Sequence, residues 1–535
     1  MRKTFFLLIV ISAVSVCSGD IITVDDDGPA DFNNIQAAID ASSYGDTVQV
    51  AAGMYVENIT LKNGVELIGA GAENTIIDGN SNGSVVYSNN CDSNTILDGF
   101  TITNGKKFDG GGICCKDSSP TIRNNIIIGN FAPLHGDISG FGGGIYCVDS
   151  SSVITGNVIC NNSAKGRGGG ICAIDSTLGL SDNLIAENEA LSVWGIFSYP
   201  GTGGGISCEL SSIEMTNNTI TSNCAYDLFL PEAPGEGGGI DCGTSTLTLV
   251  NTILWNNSPD EINNRNSNIA ITYSEIEGGW AGEGNIDVEP LFADVDANDF
   301  HLQSEAGRWD PNTQSWVTDS NTSPCIDAGD PNSDWTMELW PHGKRINMGA
   351  YGGTPQASMS LSDAGNIADF DNDGDVDYND LRLFTEKWPI EQVLLAEDLD
   401  RNGKVDFKDY CIFGNEWFNE NLGEPTITYE ITLCSENPGI WEETEGNRFT
   451  VTVDGHYINF EDMMAANCCP AELELVMEVY DDQIIIFEKE YGGSCFCICD
   501  YPVEAELGPF ESGTYILGVY EDWGGLIGTT TVVIE

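Results

Sequence analysis

The stretch Gly110-Gly111-Gly112-Ile113 decides the fold of this chain, because the same four residues return four more times. The returns lie at 142–145, 168–171, 203–206 and 237–240. Each copy is followed by an Asn-x-Ile-x-x-Asn phrase, and the phrases begin at Asn125, Asn157, Asn183, Asn218 and Asn251. A unit that repeats in this way, with spacers of unequal length between copies, is typical of a solenoid.

The residue pattern inside each repeat indicates which solenoid this is. Apolar and polar residues alternate, as in 153–155 (Val-Ile-Thr) and 219–221 (Thr-Ile-Thr), which is the periodicity of a strand. Short strands broken by Gly, Asn and Ser favour a mainly β chain folded as a parallel β-helix. In that fold equivalent residues of successive coils lie about 4.8 Å apart, so asparagines stacked at a turn can hydrogen-bond along the column. A β-propeller or sandwich is the alternative, but it must accommodate unequal spacers at one fixed point.

The unequal spacers are the candidate ligand-binding parts. They cover 131–141, 163–167, 189–202 and 224–236, always between the second asparagine and the next glycines. Insertions at one coil position of a solenoid emerge from one edge, which is often the binding edge. Aromatic rings beside carboxylates suit stacking on sugar rings, although the rings could instead pack the loops on themselves. The candidate ligand-binding residues are His135, Trp194, Phe197, Tyr199, Tyr226 and Phe229.

The first residues of the chain have the form of a secretory signal. Arg2 and Lys3 precede an apolar run over 5–16, and small residues follow near Ser18-Gly19. The apolar run is too short to span a bilayer comfortably, and the sequence offers no other integral membrane span. We therefore expect residues 1–19 to be removed and the protein to be secreted or displayed at the cell surface.

Charge and cysteine content narrow the partners. The formal net charge is −63 and falls by two more when Arg2 and Lys3 are removed. Such a charge repels nucleic acid and anionic lipid, and it suits surroundings in which cations screen self-repulsion. Of the 18 cysteines, Cys17 lies in the signal, so an odd number remains and at least one is unpaired or pairs between chains.

The residues before the repeats predict a cap for the first coil. Residues 34–41 form a short amphipathic pattern with Ile35, Ala38 and Ile39 on one face, and strands are expected near 47–50, 57–61 and 65–69. A helix here would cover the apolar side chains and strand edges at the open end of the solenoid.

The same N-terminal residues carry a family resemblance. Residues 27–32, 45–48 and 55–59 resemble the start of pectin-lyase-like right-handed parallel β-helix proteins. The Gly-Gly-Gly-Ile and Ile-x-x-Asn pairs resemble repeats of polymorphic outer-membrane-type surface proteins. Together with 323–329 and 347–351, the resemblance covers about 21–360 and implies a β-helix domain over 20–360.

This family includes lyases, hydrolases, binding proteins and adhesins, so the resemblance does not fix an activity. A lyase needs calcium-binding carboxylates and a basic residue, and a hydrolase needs carboxylates facing each other across the scissile bond. Neither arrangement is present as a motif. If the chain is an enzyme, Lys165 and Arg167 are the candidate base and charge clamp, and Asp109, Asp137 and Asp227 are candidate calcium ligands.

A column of cysteines accompanies the repeats. Cys115, Cys147, Cys208 and Cys242 each stand two places after the repeat isoleucine, and Ala173 takes that place once. Since they share the isoleucine's face, we expect them to point inward and to act as small apolar fillers. Neighbouring coils would also bring some pairs close enough to bridge.

Two acidic motifs of one form lie between 363 and 420. Each places oxygen-bearing side chains and a glycine at the spacing of a calcium loop, which supplies about six to eight oxygen ligands and makes a sharp turn at the glycine. We therefore expect two Ca²⁺ ions, one per loop, each loop leading into a helix. The predicted ligands are Asp369, Asp371, Asp373, Asp375, Asp377 and Asp380 in the first loop, and Asp398, Asp400, Asn402, Lys404, Asp406 and Asp409 in the second, with Asp375 and Lys404 contributing backbone carbonyls.

The duplicated loop and helix, with Asp at the twelfth position, resembles a type I dockerin, a small EF-hand-like α-helical pair. The resemblance implies docking onto a cohesin domain through loop positions 10 and 11, which are usually small hydroxyl residues in that family. Here they are Tyr378-Asn379 and Phe407-Lys408. This departure leaves open whether the module binds a cohesin-like partner or stabilises its own chain. The apolar helix faces are expected at Leu381, Phe384 and Trp388, and at Tyr410, Phe413 and Trp417.

Residues 424–535 return to alternating strands without the glycine repeats, which predicts a β-sandwich of unknown role. Cys495, Cys497 and Cys499 alternate along one strand, and Cys434, Cys468 and Cys469 bring the number to six. Disulfides and a thiolate metal site are both open for these residues.

The sequence as a whole predicts a secreted calcium-binding β-helix protein. It would bind polysaccharide or a surface partner through one solenoid edge and be positioned by the dockerin-like module. A polysaccharide lyase or glycosidase acting on acidic glycans, and a purely structural adhesin, remain as alternatives.

Overall fold

The computed structural model describes residues 19–535 apart from 137, 193–200, 227–234, 363, 418–425, 432–448, 455–456, 468–471, 481–482, 492–497, 511–512, 522–525 and 535. The predicted signal lies outside the described residues except for Gly19. The chain divides into two compact units: residues up to 370 together with 382–414, and residues 371–381 together with 415–535.

Parallel strands stack into a β-helix between Ile21 and Ile276, as the repeats predict. Three long sheets line the coils. Sheet A contains Ile21–Val24, Thr47–Val50, Glu66–Gly69, Ile96–Asp98, Thr121–Arg123, Val153–Thr155, Thr177–Ser181, Ser212–Thr216, Thr246–Val250 and Asn268–Thr272. Sheet B contains Gly53–Tyr55, Thr75–Asp78, Thr101–Thr103, Ile126–Ile128, Val158–Cys160, Leu184–Ala186, Thr219–Thr221, Ile253–Trp255 and Glu275–Ile276. Sheet C contains Ile59–Thr60, Val86–Asn89, Ile113–Lys116, Ile145–Val148, Ile171–Ile174, Ile206–Glu209, Ile240–Gly243 and Ile262–Arg265.

The spacers add a fourth, shorter sheet at one edge of the coils. Sheet D contains Phe131–Ala132, Ser163–Arg167, Glu189–Leu191 and Cys224–Tyr226, and Gly140–Phe141 also pairs with Ser163–Arg167. The C-terminal ends of the spacers stack as well, since Asp109, Phe141, Arg167, Thr202 and Glu236 follow one another as parallel partners. In the described residues, all four spacers therefore leave and rejoin the solenoid along the same edge.

Two columns of asparagines hold the coils in register. In the first, the side-chain oxygens of Asn125, Asn157, Asn183 and Asn218 accept from the preceding coil. In the second, Asn188 is typical: its Nδ2 donates to Ile159 O at 2.8 Å and to Asn223 Oδ1 at 2.9 Å. Both columns are buried, so each amide replaces water as the partner of backbone groups at a turn.

The fifth repeat follows a register one residue later than its sequence motif suggests. Ile220 pairs with Leu254 rather than with Ile253. In the second asparagine column, the side-chain oxygen that accepts from the backbone N–H of Asn223 belongs to Asn257 rather than to Asn256. Leu254 enters the solenoid core, while Ile253 packs outside it with Leu302, Cys325 and Met348. The contact with the following segment therefore overrides the local motif.

The glycine triplets allow this stacking. In the fourth triplet, Gly203 has φ +67°, a conformation that favours glycine. A Cβ on Gly204 would stand 2.5 Å from the backbone nitrogen of Cys224, and one on Gly205 would stand 3.1 Å from Asn223 Nδ2. The two sequence motifs are thus one packing unit, since the triplet makes room for the start of the spacer and for the asparagine column.

The N-terminal cap has the predicted form. Helix α1, Ile35–Ala41, buries Ile35, Ala38 and Ile39 and is capped by the side chain of Asn34. The four repeat cysteines and Ala173 point into the core, as expected.

The stacked coils end at Ile276, and residues 277–360 have a different structure within the region predicted to end near 360. They contain two antiparallel hairpins, Phe292–Asp294 with Asp299–Leu302 and Arg308–Asp310 with Ser315–Val317, and a 3₁₀ turn at Val295–Ala297. We call 277–360 the terminal segment. Its residues Cys325 and Met348 pack on Ile253.

Helices α2, Tyr378–Glu386, and α3, Phe407–Glu416, follow the two acidic loops. Phe384 and Phe413 are buried and stack at 5.5 Å between ring centroids. Tyr410 was expected on the same buried face. It is 48% exposed, although its ring centroid lies 6.1 Å from that of Phe384.

Residues beyond 425 form two four-stranded sheets. One is antiparallel and contains Thr426–Ile431, Ile498–Gly508, Tyr457–Asn467 and Thr450–Asp454. The other contains Glu472–Tyr480, Gln483–Tyr491, Gly513–Glu521 and Leu526–Ile534, with one parallel pair at its centre. Phe460, Ile486 and Leu517 belong to a single apolar cluster drawn from both sheets. Cys434, Cys468, Cys469, Cys495 and Cys497 lie outside the described residues.

Removing one amide from the second asparagine column should destabilise the fold. We expect Asn188→Ala to lower the free energy of unfolding by about 3 kcal/mol, because Asn162 and the carbonyl of Ile159 lose buried partners. Glu214→Ala, at an exposed position of sheet A, should change it by less than about 0.5 kcal/mol. Urea unfolding followed by circular dichroism measures both, and equal effects would contradict this role of the column.

Three buried carboxyls should make the fold less stable as pH rises. Burial is the main reason that the pKa values of Glu261, Glu275 and Glu338 are raised from 4.5 to about 8. The folded chain then keeps protons that the unfolded chain releases, so stability falls between about pH 4.5 and 8.

Glu338 Oε1 accepts from the backbone N–H of Asn347 and Gly353, and glutamine can do the same. Glu338→Gln should therefore raise the Tm at pH 8.5 by about 2 °C or more and leave it unchanged at pH 4.5. Glu289→Gln, an exposed control in the terminal segment, should show no such crossover.

Candidate functional site

The outer face of sheet C is the candidate ligand site of the solenoid. Within its four-residue strands, the first and third residues enter the core and the second and fourth face outward. The spacer ends form a third column beside them. We call these three columns the C face. From the N-terminal side they contain Tyr87, Cys114, Tyr146, Cys172, Ser207, Asp241 and Asn263; then Asn89, Lys116, Val148, Ile174, Glu209, Gly243 and Arg265; then Asp109, Phe141, Arg167, Thr202 and Glu236.

The C-terminal end of the C face carries a charge network. Arg265 binds Asp241 through two bonds of 2.8 Å, from Nε to Oδ1 and from Nη2 to Oδ2. Its Nη2 also lies 3.1 Å from Glu209 Oε2, which accepts from Arg167 Nη1 at 3.3 Å. Asp241 is fully buried, whereas Arg167 and Arg265 are about one third exposed. The two carboxylates raise the pKa of Arg265, so the network presents permanently charged guanidinium groups at the surface.

Asn263 extends this network to the spacer edge. Its Nδ2 donates to Asp241 Oδ1 at 3.0 Å and to Glu236 Oε2 at 3.2 Å. Glu236 is exposed, so the network continues from a buried carboxylate to the solvent. This chain of hydrogen bonds, which runs from the buried Asp241 to the exposed Glu236, can present both donors and acceptors to a polar ligand.

The N-terminal end of the C face has a second, cationic cluster. Asp109 is buried between Lys116 Nζ, at 2.5 Å, and Lys107 Nζ, at 3.4 Å. Lys107 also lies over the Tyr87 ring, 5.2 Å from its centroid. Asp109 was proposed as a calcium ligand in the enzyme alternative, but two ammonium groups already occupy its carboxylate. The aspartate therefore orients the lysines.

An apolar strip separates the two clusters. Cys114, Tyr146 and Cys172 are buried on the outside of sheet C, and Phe141 stacks on Tyr146 at 5.8 Å. Burial raises the pKa of both thiols to about 12, so they remain neutral. A ligand lying along the C face would meet charge, then the partly buried side chains of Phe141, Val148 and Ile174, then charge again.

Basic residues are concentrated on this face and its edge. The coils between residues 20 and 276 contain eight of them: Lys62, Lys106, Lys107, Lys116, Arg123, Lys165, Arg167 and Arg265. All except Lys62 and Arg123 lie on the C face or in the segments that lead to it. In a chain of such negative charge, the C face differs from the rest of the solenoid because its acidic residues are paired with basic ones.

The predicted edge residues have mixed positions. His135 is exposed and stacks on Phe108 at 4.9 Å, and Tyr226 is exposed at the end of its strand. Lys165 lies in sheet D, two residues before Arg167. Trp194, Phe197, Tyr199 and Phe229 lie outside the described residues, as do Asp137 and Asp227.

Sequence reasoning missed Glu209, Asp241 and Arg265. The signal was present, because strands that elsewhere read Ile-Cys-Cys-Lys or Ile-Tyr-Cys-Val here read Ile-Ser-Cys-Glu, Ile-Asp-Cys-Gly and Ile-Asn-Asn-Arg. Lys116 is the charged outward residue of the earlier coils, and carboxylates enter the outward positions of sheet C only in the last three coils, at Glu209 and Asp241. The inward positions of these strands are nearly the same in every coil, whereas the residues of the charge network occupy the outward positions, which differ from coil to coil.

The second acidic loop is a separate candidate site. The carboxylates of Asp398, Asp400 and Asp409 lie within 4.8 Å of one another. Asp409, fully buried, accepts from the backbone N–H of Asp400 at 3.0 Å and of Asp406 at 2.7 Å. Arg401 and Gly403 have φ of +57° and +86°, which turn the backbone around the cluster.

The first loop also brings three carboxylates together, at its seventh, ninth and twelfth positions. Asp375, Asp377 and Asp380 lie within 4.8 Å of one another, and Asp380 accepts from the backbone N–H of Asp371 at 3.3 Å and of Asp377 at 2.8 Å. Asn372 and Gly374 have positive φ, at the same positions as in the second loop. Asp369 is buried and Asp373 is exposed. The converging carboxylates and the repeated backbone geometry fit a hard divalent cation such as Ca²⁺.

Arg401 ties the second loop to the terminal segment. Its Nη2 donates to Trp340 O at 3.0 Å, and its Nη1 donates to the carbonyls of Leu395 and Asp398. Burial lowers the pKa of this arginine. The loop that carries Asp398 and Asp400 is therefore joined to residues near the end of the solenoid.

The residues at loop position 10 are exposed aromatics. Tyr378 and Phe407 are 72% and 74% exposed, and they contact Trp417 and Trp388, respectively, in near-perpendicular pairs. Both aromatic side chains therefore expose apolar surface beside their loops. In the described residues, no helix is long and apolar enough to cross a membrane.

Comparison with known proteins gives one family match. Residues 213–329 match the model of a family described as "Disaggregatase related". No curated protein sequence matches the chain. The matched residues include Asp241 and Arg265 and the first part of the terminal segment.

Several solved structures are similar at low identity. A pectin methylesterase from carrot is 13% identical with a TM-score of 0.32, covering 50% of this chain and 86% of its own. A polygalacturonase from Erwinia carotovora ssp. carotovora is 12% identical with a TM-score of 0.25, covering 51% and 84%. The A-module of a mannuronan C-5 epimerase from Azotobacter vinelandii is 16% identical with a TM-score of 0.23, covering 47% and 84%.

Proposed function

We propose that this chain is a secreted, calcium-binding β-helix protein that binds an acidic polysaccharide along the C face. The observation that carries the proposal is the gathering of cations there. Lys107 and Lys116 lie at one end, and Arg167 and Arg265 lie at the other, within an otherwise acidic solenoid. A linear polyanion can follow this face across successive coils.

The arrangement favours carboxylated sugars over neutral ones. Guanidinium groups bind carboxylates through paired hydrogen bonds, and in the part of the chain that the structure describes Arg167 pairs with a single carboxylate, that of Glu209. The acidic members of the network also screen the cations, which limits binding to ligands of matching geometry. The partly buried Phe141, which stacks on the buried Tyr146, and the exposed His135 at the edge provide surface for the apolar sides of sugar rings.

Binding is favoured over turnover. A glycosidase needs one carboxyl that gives a proton to the leaving oxygen and a second carboxylate on the other side. Glu209 and Asp241 share one side, and both accept hydrogen bonds from Arg265. These carboxylates suit charge pairing with Arg265. Release of reducing ends or unsaturated products from the polysaccharide would favour the enzyme alternative.

We propose that the acidic loops bind two Ca²⁺ ions and form a dockerin-like module. Asp398, Asp400, Asn402, Asp406 and Asp409, with the carbonyl of Lys404, would hold one ion. The corresponding residues from Asp369 to Asp380 would hold the other. Arg401 joins the second loop to Trp340 of the terminal segment. The exposed Tyr378 and Phe407 suit an apolar partner surface better than they suit the usual cohesin partner.

The two C-terminal sheets, which share one apolar cluster, are proposed to form an accessory β-sandwich. The sequence and the described residues assign it no ligand.

Loss of one guanidinium from the C face should weaken polysaccharide binding. We expect Arg167→Gln to reduce the affinity for polygalacturonate about tenfold, because one charge-assisted contact is lost. Glu209 keeps Arg265 as a partner, so the fold should be preserved. Calorimetry at low and moderate salt measures the effect, with neutral dextran as the ligand control.

Arg123→Gln is the matched control variant. Arg123 is 38% exposed and pairs with Asp98, much as Arg167 is 36% exposed and pairs with Glu209, but it lies on sheet A. Its affinity for polygalacturonate should equal that of the unchanged chain. A similar loss in both variants would mean that net charge, and not the C face, governs binding.

Removing one ligand from the second loop should weaken calcium binding. We expect Asp400→Ala to lower the affinity of one of two calcium sites at least tenfold, because the cluster loses a charged oxygen donor. Asp371→Ala should do the same at the other site. Glu391→Gln removes an exposed carboxylate nearby, paired with Lys404, and should leave both affinities unchanged. Calcium titration calorimetry that finds the same two sites in Asp400→Ala would refute the assignment.

A further inference from the structure

Two core cysteines beneath the charge network lie unusually close together. Cys208 and Cys242 are register partners on neighbouring strands of sheet C, and their Sγ atoms are 3.1 Å apart. Both are fully buried in the solenoid core. Register partners on parallel strands lie about 4.8 Å apart, which is within the range of about 4.4–6.8 Å between Cα atoms in which disulfides form.

We propose that Cys208 and Cys242 form an interior disulfide that ties together the strands carrying Glu209 and Asp241. Each cysteine is adjacent in sequence to one of these carboxylates. The bond would fix the spacing of the two strands from inside the core, while Arg265 bridges the carboxylates on the outer face. This disulfide would form whether or not the C face binds a polysaccharide.

The inward column defines this pairing. On one side of Cys208 the register partner is Ala173, and on the other side of Cys242 it is Asn264. Each of the two cysteines therefore has the other as its only thiol neighbour within the column. Their separation of 34 residues spans one full repeat with its spacer.

The bond would form by thiol–disulfide exchange during folding. The Cys242 thiolate attacks a small disulfide such as oxidised glutathione and releases one glutathione thiolate. The Cys208 thiolate then attacks the mixed disulfide at the Cys242 sulfur, forming the protein S–S bond and releasing the second glutathione. Two protein thiols are oxidised, two electrons pass to the oxidant, and the protons are taken up by solvent and the two glutathione thiolates. Since both side chains are buried in the finished coil, the exchange must precede closure of the last coils.

Mass spectrometry of the full-length protein without substitutions can identify which cysteines are paired. The full-length protein is secreted by a host with an oxidising export pathway, denatured with iodoacetamide and no reductant, and digested for mass spectrometry. We expect one peptide pair joined through Cys208 and Cys242, lighter than the two free peptides by two hydrogen atoms. Cys325, a buried cysteine of the terminal segment, should be alkylated and serves as the internal control for thiol recovery.

Two results would overturn the proposal: recovery of alkylated Cys208 and Cys242, or a bond from either one to another cysteine. A second measurement tests the consequence for the fold. Reductant during folding should lower the Tm of the unchanged chain by about 5 °C, since closing a loop of this length restricts the unfolded chain. The Cys208→Ala, Cys242→Ala double variant should show the same Tm with and without reductant. A reductant effect that survives in this variant would assign the stabilisation to other cysteines.

Discussion

The close approach of backbone to backbone at the glycine triplets is the constraint on which the solenoid depends. A side chain on the second glycine would collide with the first residue of the spacer, and one on the third would press on the asparagine column. Once the glycines permit this contact, a buried amide can bond to backbone groups of two coils at once, as Asn223 does with Asn188 N–H, Ile185 O and Thr221 O. Stacking strands then bury one apolar row after another, and the coils propagate by nearest-neighbour contacts. The spacers can vary in length because both of their ends, and not their middles, are held in the ladders.

The sequence was sufficient for the architecture because glycine, asparagine and isoleucine repeat for physical reasons that act within one coil. It was less informative where distant parts of the chain meet. Ile253 occupies the isoleucine position of the repeated phrase, yet it packs outside the solenoid core against Leu302 and Met348, and Leu254 lies in the core instead. The cap helix was predictable from its own periodicity, while the end of the stack at Ile276 depends on the terminal segment. In the acidic loops, local spacing alone predicted the residues that converge.

The candidate site was harder to predict for a related reason. Arg167 was found because it lies in a spacer, yet its partner Glu209 is 42 residues further along the chain. Glu209 and Arg265 are separated by 56 residues and meet only because intervening coils stack in register. Their positions in the repeat are known from sequence, but the direction of the side chains follows from which residues enter the core. Once the isoleucine and cysteine positions are placed inward, the positions between and after them must form the outer surface.

Stability alone gives a weak reason for the charge network. Asp241 occupies a column whose four preceding members, Cys114, Tyr146, Cys172 and Ser207, are all neutral and buried. Replacing neutral packing by a buried carboxylate carries a desolvation cost that even a bidentate arginine often only offsets. Neutral side chains fill this column in the preceding coils, so a neutral residue at position 241 would avoid the desolvation cost. The proposed polysaccharide binding gives the network a second reason, since its arginines are held in position by carboxylates and remain about one third exposed.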